Sequence, residues 1–522
     1  MATEPFDRIY PKSYGEIGAG QGVCRVESEW NLPDYKEAAE RLLRLDADPV
    51  ITGKTVYVKG QELICDVEGE VCFQALYQPE GAGGEESVSS FSAKESFFYT
   101  FRLPVPDDRE TDPDLILALC EAVPENVNAR LLGPRRLWAK CDLTLTLSLR
   151  GNREIPCYSD AVPGDVECKM DSREVTVLKG VLKQDLEVRE VFTLPAAYLP
   201  IREMTDLHYS LFADRVRVSD GALGFNGHLT VNAAYVPEGE SGVISFCQPL
   251  EFEKSVGTAL AAEGDLCEVT LSPSSMRFSV ELREGGENKD LALEILYSAE
   301  IRLFRRETVR FITDLYSVKD EVDVSRETQT LQVYTAIRDY IRDVNAELPL
   351  KHAPFVRAED VRGAIRFMDA VREGRKLLIR GEVRLKYLTV SDTGAVSSSE
   401  DTLEIRFDLP DQPDLPEPEG NVELWGGVSD AQLSLRDDVI DVRLEVYGRV
   451  GLSRPETVSP VTDVVRKGAL PELKSGLLFY YPDESESFWD VCRKCRARVS
   501  DVRRENQWEG EAPPSVVRIQ YK

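Results

Sequence analysis

The sequence predicts a mostly β protein: three tandem β-sandwich-like repeats followed by a small β-α-α-β domain. Three observations carry this. The stretch from Gly69 to Gly81 (GEVCFQALYQPEG) returns from Gly227 to Gly239 (GHLTVNAAYVPEG), with the glycine, the tyrosines Tyr77 and Tyr235 and the Pro-Glu-Gly turn in register. A third copy starts at Gly381 (GEVRLK), has Leu388 where the first has Leu76, and reaches a turn at Ser391–Gly394. The copies lie much further apart than the roughly 20–50 residues of a solenoid unit, so each repeat is expected to be a domain with its own core. Leu32-Pro33, Leu194-Pro195 and Leu348-Pro349 precede the three glycines at a near-constant distance. Beyond residue 470 the charge balance changes, which sets the last segment apart.

Each copy alternates β-branched and aromatic residues and then turns, as a half-buried strand entering a hairpin does. Residues 1–19 read as a polar leader or a first edge strand, and 20–157 as the first repeat. Within it, Asp34 caps a predicted short helix on which Tyr35, Ala38, Ala39, Leu42 and Leu43 share a face. Strands are expected around Thr55–Val58, Leu63–Tyr77, Ser96–Arg102, Asn128–Leu132 and Leu137–Leu149, with a variable loop at Asp107–Pro113. In the last of these strands Leu143, Leu145, Leu147 and Leu149 alternate with Thr144, Thr146 and Ser148, which predicts one wet face. Residues 158–173, with Pro163-Gly164-Asp165, read as a linker. The second repeat covers 174–318, with a turn at Gly285-Gly286, a linker follows at 319–328, and the third repeat covers 329–458. The prolines between Pro410 and Gly420 predict an extended surface loop. A third linker, 459–473, leads to the terminal domain at 474–522.

Composition narrows the function classes. The chain has 522 residues, 42% of them hydrophobic and 30% charged, enough to bury several cores. Its net charge of −29 repels nucleic-acid phosphate and anionic membrane, so neither is expected as a primary partner. No apolar run is long enough to span a bilayer, and Met1–Gly15 lacks a signal-like apolar segment, which predicts a cytosolic setting. The eleven cysteines are odd in number, irregularly spaced and mostly within apolar runs, as small buried hydrophobes are. His208, His228 and His352 are scattered, and no nucleophile elbow, phosphate loop, zinc-protease or dinucleotide motif occurs. A non-enzymatic protein without metal or cofactor is the expectation.

The tandem units resemble the SPOCS domain of clostridial spore-coat morphogenesis proteins. The likeness rests on Leu-Pro, a short helix, a Gly-Glu-Val strand ending in Leu-Tyr, and a Ser-rich hairpin, and it covers about residues 20–457. In the C-terminal segment, Ser485-Glu486-Ser487-Phe488-Trp489-Asp490-Val491-Cys492 resembles the Gly-Asp-Thr-Leu-Trp-x-Ile-Ala run of a LysM domain, and the match continues through Val499, Val502 and Asn506. Ser485 and Glu486 replace the glycine and aspartate that frame the glycan groove in that family.

The residues of this segment also stand on their own. Pro471–Lys522 holds nine acidic and nine basic side chains, so the segment is neutral beside the acidic remainder. Leu477–Tyr481 and Val516–Tyr521 read as strands, and Ser487-x-x-Asp490 has capping-box spacing ahead of an apolar helix face. Cys492-Arg-Lys-Cys495 falls on core positions and lacks a second ligand pair nearby, so packing is favoured over zinc or redox chemistry. Ser485, Glu486, Ser487, Phe488, Trp489 and Asn506 are the candidate partner- or glycan-binding residues, with Trp489 expected to anchor docking. Together the resemblances imply a structural protein of spore-coat assembly in the mother-cell cytoplasm at the forespore surface. Its LysM-like domain would engage the morphogenetic ATPase of the coat's basement layer. The alternative is a peptidoglycan binder that uses the repeats as a spacer.

Overall fold

The repeated glycine and tyrosine have one structural meaning in the first two copies. The chain is described here by a computed structural model, which covers all residues except 1–5, 82–86, 106–115, 161, 241, 282–287, 352–353, 410–419 and 522. The loop at Asp107–Pro113, the turn at Gly285-Gly286, His352 and most of the proline-rich segment therefore lie outside the described residues.

After a two-residue β1 (Arg8–Ile9), the first repeat comprises β2 (Lys12–Asn31), β3 (Ala39–Lys59), β4 (Glu62–Pro79), β5 (Ser89–Pro104), β6 (Leu117–Gly133) and β7 (Arg136–Glu154). These form two three-stranded antiparallel sheets, ordered β2-β7-β6 and β3-β4-β5. After β8 (Cys157–Tyr158) the pattern returns as β9 (Val166–Thr193), β10 (Ile201–Ser219), β11 (Ala222–Pro237), β12 (Ile244–Gly257), β13 (Leu266–Glu281) and β14 (Asp290–Ser317). The sheets are now β13-β14-β9 and β10-β11-β12. β15 (Asp320–Arg326) precedes the third set: β16 (Gln329–Pro349), β17 (Arg357–Glu373), β18 (Lys376–Val390), β19 (Val396–Leu409), β20 (Asn421–Arg436) and β21 (Val439–Val458). Its sheets are β16-β21-β20 and β17-β18-β19. The chain ends with β22 (Val461–Ala469), β23 (Gly476–Tyr480), α1 (Phe488–Lys494), α2 (Val499–Asn506) and β24 (Val517–Tyr521).

Each repeat packs its two sheets face to face around one apolar cluster. In β7 the inward residues Leu143, Leu145, Leu147 and Leu149 are fully buried, and Thr146 between them is exposed, so the predicted alternation holds. Gly69 and Gly227 sit in the central strands β4 and β11, directly opposite Phe97 and Phe252 of the next strand. A Cβ would come within 2.4 Å of the Phe97 ring at Gly69 and 2.0 Å of the Phe252 ring at Gly227, so glycine is what lets a cross-strand aromatic fold over the strand. Gly381 holds the same place in β18, but it faces Ile405 and is less crowded.

The Leu-Pro landmark belongs to the same device. Tyr77 and Tyr235 are buried, and their hydroxyls donate to the carbonyls of Glu37 (3.2 Å) and Leu199 (2.9 Å), which close the loops opened by Leu32-Pro33 and Leu194-Pro195. Lys36 and Tyr198 donate their backbone N–H to Pro33 and Pro195, both at 2.9 Å. The two sequence signatures therefore recur together because one side chain ties one loop. Gly81, Gly239 and Gly394 take positive φ in the following turns (+78°, +80° and +84°).

Several expected elements differ. The predicted helix after Asp34 is absent: Ala39 onward is strand β3, paired with β4 through three register shifts, and Tyr35 is 83% exposed. A single short amphipathic turn has little intrinsic stability in water, so pairing along β4 overrides it. The stretches read as linkers carry strands. Val166–Arg173 continues β9 against β14, and β15 pairs with β22, with Val322, Val324, Val461 and Val464 packing over Tyr158 and Leu315. Their polar composition reflects two-stranded ribbons with one wet face. Of the two readings of residues 1–19, the first edge strand holds from Lys12, in β2, which lies at the edge of its sheet. Among the described residues, no helix is long and apolar enough to cross a membrane.

Candidate functional site

The terminal segment builds its own small core before it meets the rest of the chain. β23 and β24 pair antiparallel, with Tyr480 opposite Val517 and Gly476 opposite Tyr521. Phe488, Val491, Cys492, Cys495, Val502, Val517 and Ile519 are buried together. Ser487 caps α1 as its spacing predicted: its hydroxyl accepts from the Asp490 N–H, and the Asp490 carboxylate accepts from the Ser487 N–H at 3.0 Å. Cys492 and Cys495 both lie in this core, where burial pushes the Cys492 thiol up to about 12 and raises that of Cys495.

The six candidate residues divide sharply. Phe488 is core. Glu486 closes its own loop, accepting from the Tyr480 hydroxyl (3.0 Å), the Asp483 N–H (2.9 Å) and Lys494. Asn506 ties α2 to β24: its amide donates to the Val502 and Arg518 carbonyls, and its carbonyl accepts from the Arg518 N–H at 2.8 Å. Ser487 is the cap, and only Ser485 is an exposed loop residue. The loops that flank the expected groove are joined to each other, since the Phe488 N–H donates to the Glu511 carbonyl at 2.9 Å.

Trp489 points away from these residues, toward the end of β14. Its indole N–H donates to Asp314 at 2.7 Å, and its ring meets Tyr316 edge-on with centroids 5.0 Å apart. Arg493 also reaches Asp314 (2.9 Å), the Tyr316 hydroxyl donates to the Ala497 carbonyl (2.7 Å), and Arg498 donates to the Gly164 carbonyl (2.8 Å). The α1 face is thus seated on the extended β9–β14 ribbon, and the expected docking anchor is used within the chain. The opposite side is bare. Leu477, Leu478, Phe479 and Tyr481 are 49%, 37%, 54% and 72% exposed, and among the described residues β23 pairs only with β24, which leaves its outer edge open. Sequence reasoning named Leu477–Tyr481 as a strand without singling it out; five consecutive aliphatic or aromatic residues were the available signal.

A second constellation, invisible in the sequence, lies where the three repeats meet. β3, β10 and β17 each carry a bulge at matching positions, beside Leu76, Ala234 and Leu388 of their partner strands, which pack together in one apolar cluster. The bulges bring Arg44, Asp46, Asp206, His208, Asp360 and Arg362 together. Arg44 contacts Asp46 (2.6 Å), Asp206 (3.1 Å) and Asp360; Arg362 contacts Asp206, and Lys386 reaches Asp46 at 3.0 Å. Burial and the Asp360 charge push the Asp206 carboxyl up to about 7. Burial would raise Asp360 as well, but Arg44 and Arg362 outweigh it and hold Asp360 well below the usual range. Burial and the Arg362 charge push the His208 imidazole down to about 3.

Asp206, His208 and Asp360 place potential ligand atoms within 4.8 Å of one another. Arg44 and Arg362 already occupy that space with positive charge, and three carboxylates face three cations, so the chemistry favours a buried ion-pair joint over a cation site. Comparison with models of protein families, with curated proteins and with solved structures gives no match.

Proposed function

We propose that the protein is a non-enzymatic scaffold of spore-envelope assembly that docks a protein partner through its terminal LysM-like domain. The assignment to SPOCS-type repeats and to the spore coat rests on the sequence resemblance, and on that reading the partner is the basement-layer morphogenetic ATPase. The observation that carries docking is the open apolar side of β23, since a module of this size has little surface to leave bare unless something covers it. The charge pattern agrees: a neutral module on a strongly acidic body offers a different surface to a partner. Glu486 and Asn506 make internal bonds at the expected glycan groove, which favours protein docking over peptidoglycan.

The test sets two bindings of the full-length chain side by side: retention on insoluble peptidoglycan, and co-purification of the morphogenetic ATPase from sporulating cells. The scaffold reading expects the second without the first. Retention on peptidoglycan without the ATPase would replace it with the glycan reading.

A further inference from the structure

Between the second and third repeats lies a cleft of about 360 Å³, formed by residues 209–211 of β10, 363–365 of β17 and 426–428 of β20, with Pro273 and Tyr447 closing it. Side chains of a strand alternate between its two faces, so three consecutive residues from each strand can line one space only if their backbone borders it. Among the described residues, β10, β17 and β20 are each the outermost strand of their sheet, paired on one side only. Their unpaired N–H and C=O groups are therefore available along the cleft.

Two features separate this place from the other edges. Edges elsewhere carry charges that discourage strand addition, such as Glu251 and Glu253 on β12 and Glu400 and Glu404 on β19, all exposed. In a chain with net charge −29, no acidic or basic side chain lines the cleft. Glycine backbone forms part of its walls as well: Gly363, Gly426 and Gly427 are partly exposed, while Tyr447 packs against Gly427 and Val428 against Gly363, where a Cβ would fall 2.6 Å from the Tyr447 hydroxyl and 2.9 Å from Val428. The buried Ser210 hydroxyl, one of the lining groups, has no hydrogen-bond partner among the described residues.

We propose that this cleft is a binding site for an extended, uncharged peptide segment of a partner protein, hydrogen-bonded to the free strand edges that line it. Main-chain bonds supply the affinity, and the narrow, neutral, glycine-containing walls select small uncharged side chains. The site is separate from β23, and its test does not depend on docking by the terminal domain.

Hydrogen exchange of the full chain tests it with three probes at millimolar concentration: a blocked five-residue peptide of alanine, valine and serine, the same peptide with two aspartates, and a neutral oligosaccharide. The neutral peptide is expected to protect amides at 209–211 and 426–428. Ala364→Trp, at an exposed lining position, should weaken that protection at least tenfold at an unchanged thermal midpoint; Ala364→Leu takes its place if the midpoint falls. The proposal is overturned if no probe protects these amides, if the aspartate peptide or the oligosaccharide protects them equally, or if a folded variant binds as the parent does.

Discussion

The two sides of the terminal domain spend their apolar surface differently. On the α1 side, Trp489 and Tyr316 cover each other and Asp314 receives both the indole N–H and Arg493. On the β23 side, Leu477, Phe479 and Tyr481 face solvent beside an unpaired strand edge. The conspicuous tryptophan is thus a structural joint, and the less conspicuous strand is the surface still free to bind. A large aromatic in a small domain signals burial, but only the fold decides whether what buries it is the domain, its neighbour or a partner.

The largest effect separates folding from seating. Phe488→Ala removes a fully enclosed ring from a core of few residues and should cost about 3–5 kcal/mol. Exchange protection at β23–β24 is then lost while the repeats keep theirs. Trp489→Ala should act on the joint alone, costing about 2–3 kcal/mol of seating through lost ring contact with Tyr316 and the lost indole hydrogen bond to Asp314, which keeps its Arg493 partner. The β23–β24 amides should stay protected while the chain at 470–475 becomes sensitive to protease. Loss of β23–β24 protection in this variant would instead place Trp489 in the domain's own core.

The joint between the repeats gives a contrast in chemistry, because it is made of charge. Asp206 has a raised pKa, so the folded state holds a proton that the unfolded chain releases. Its contribution is full below the ordinary carboxylate pKa and is lost as pH rises through about 7. His208 has a depressed pKa, so the unfolded chain takes up a proton, and its contribution grows from about pH 3 to the ordinary imidazole value. The two slopes oppose each other between about pH 4 and 6.5. His208→Asn should unmask the first, and urea midpoints of the variant should fall as pH rises from about 4 to 7, more steeply than those of the parent. Parallel profiles would mean that Asp206 and His208 do not share this joint.

Much of this fold is legible in local pattern. The leucines of β7 alternate as a half-buried strand, the Gly–Tyr motif marks the central strands β4 and β11, and Ser487–Asp490 announces the start of α1. What is not legible depends on contacts distant in sequence. Trp489 finds Asp314 175 residues away, and Arg44 finds Asp360 at a separation of 316. In sequence these look like ordinary surface charges in a charged chain. The helix expected after Asp34 fails for a related reason: Ala39, Leu42 and Leu43 fit a bulged strand as well as a helix face, and only the presence of β4 decides between them.

The smallest expected effect on stability is the most informative about function. Phe479→Asp alters an exposed side chain and should change stability by no more than about 0.5 kcal/mol. On the scaffold reading proposed above, co-purification of the morphogenetic ATPase from sporulating cells, with Phe479→Asp and Trp489→Ala compared side by side, tests the division between the two sides most directly. The account predicts that Phe479→Asp abolishes recovery of the partner with the domain still folded, while Trp489→Ala retains it. Recovery by Phe479→Asp together with its loss in a folded Trp489→Ala variant would place docking on the α1 face and contradict it.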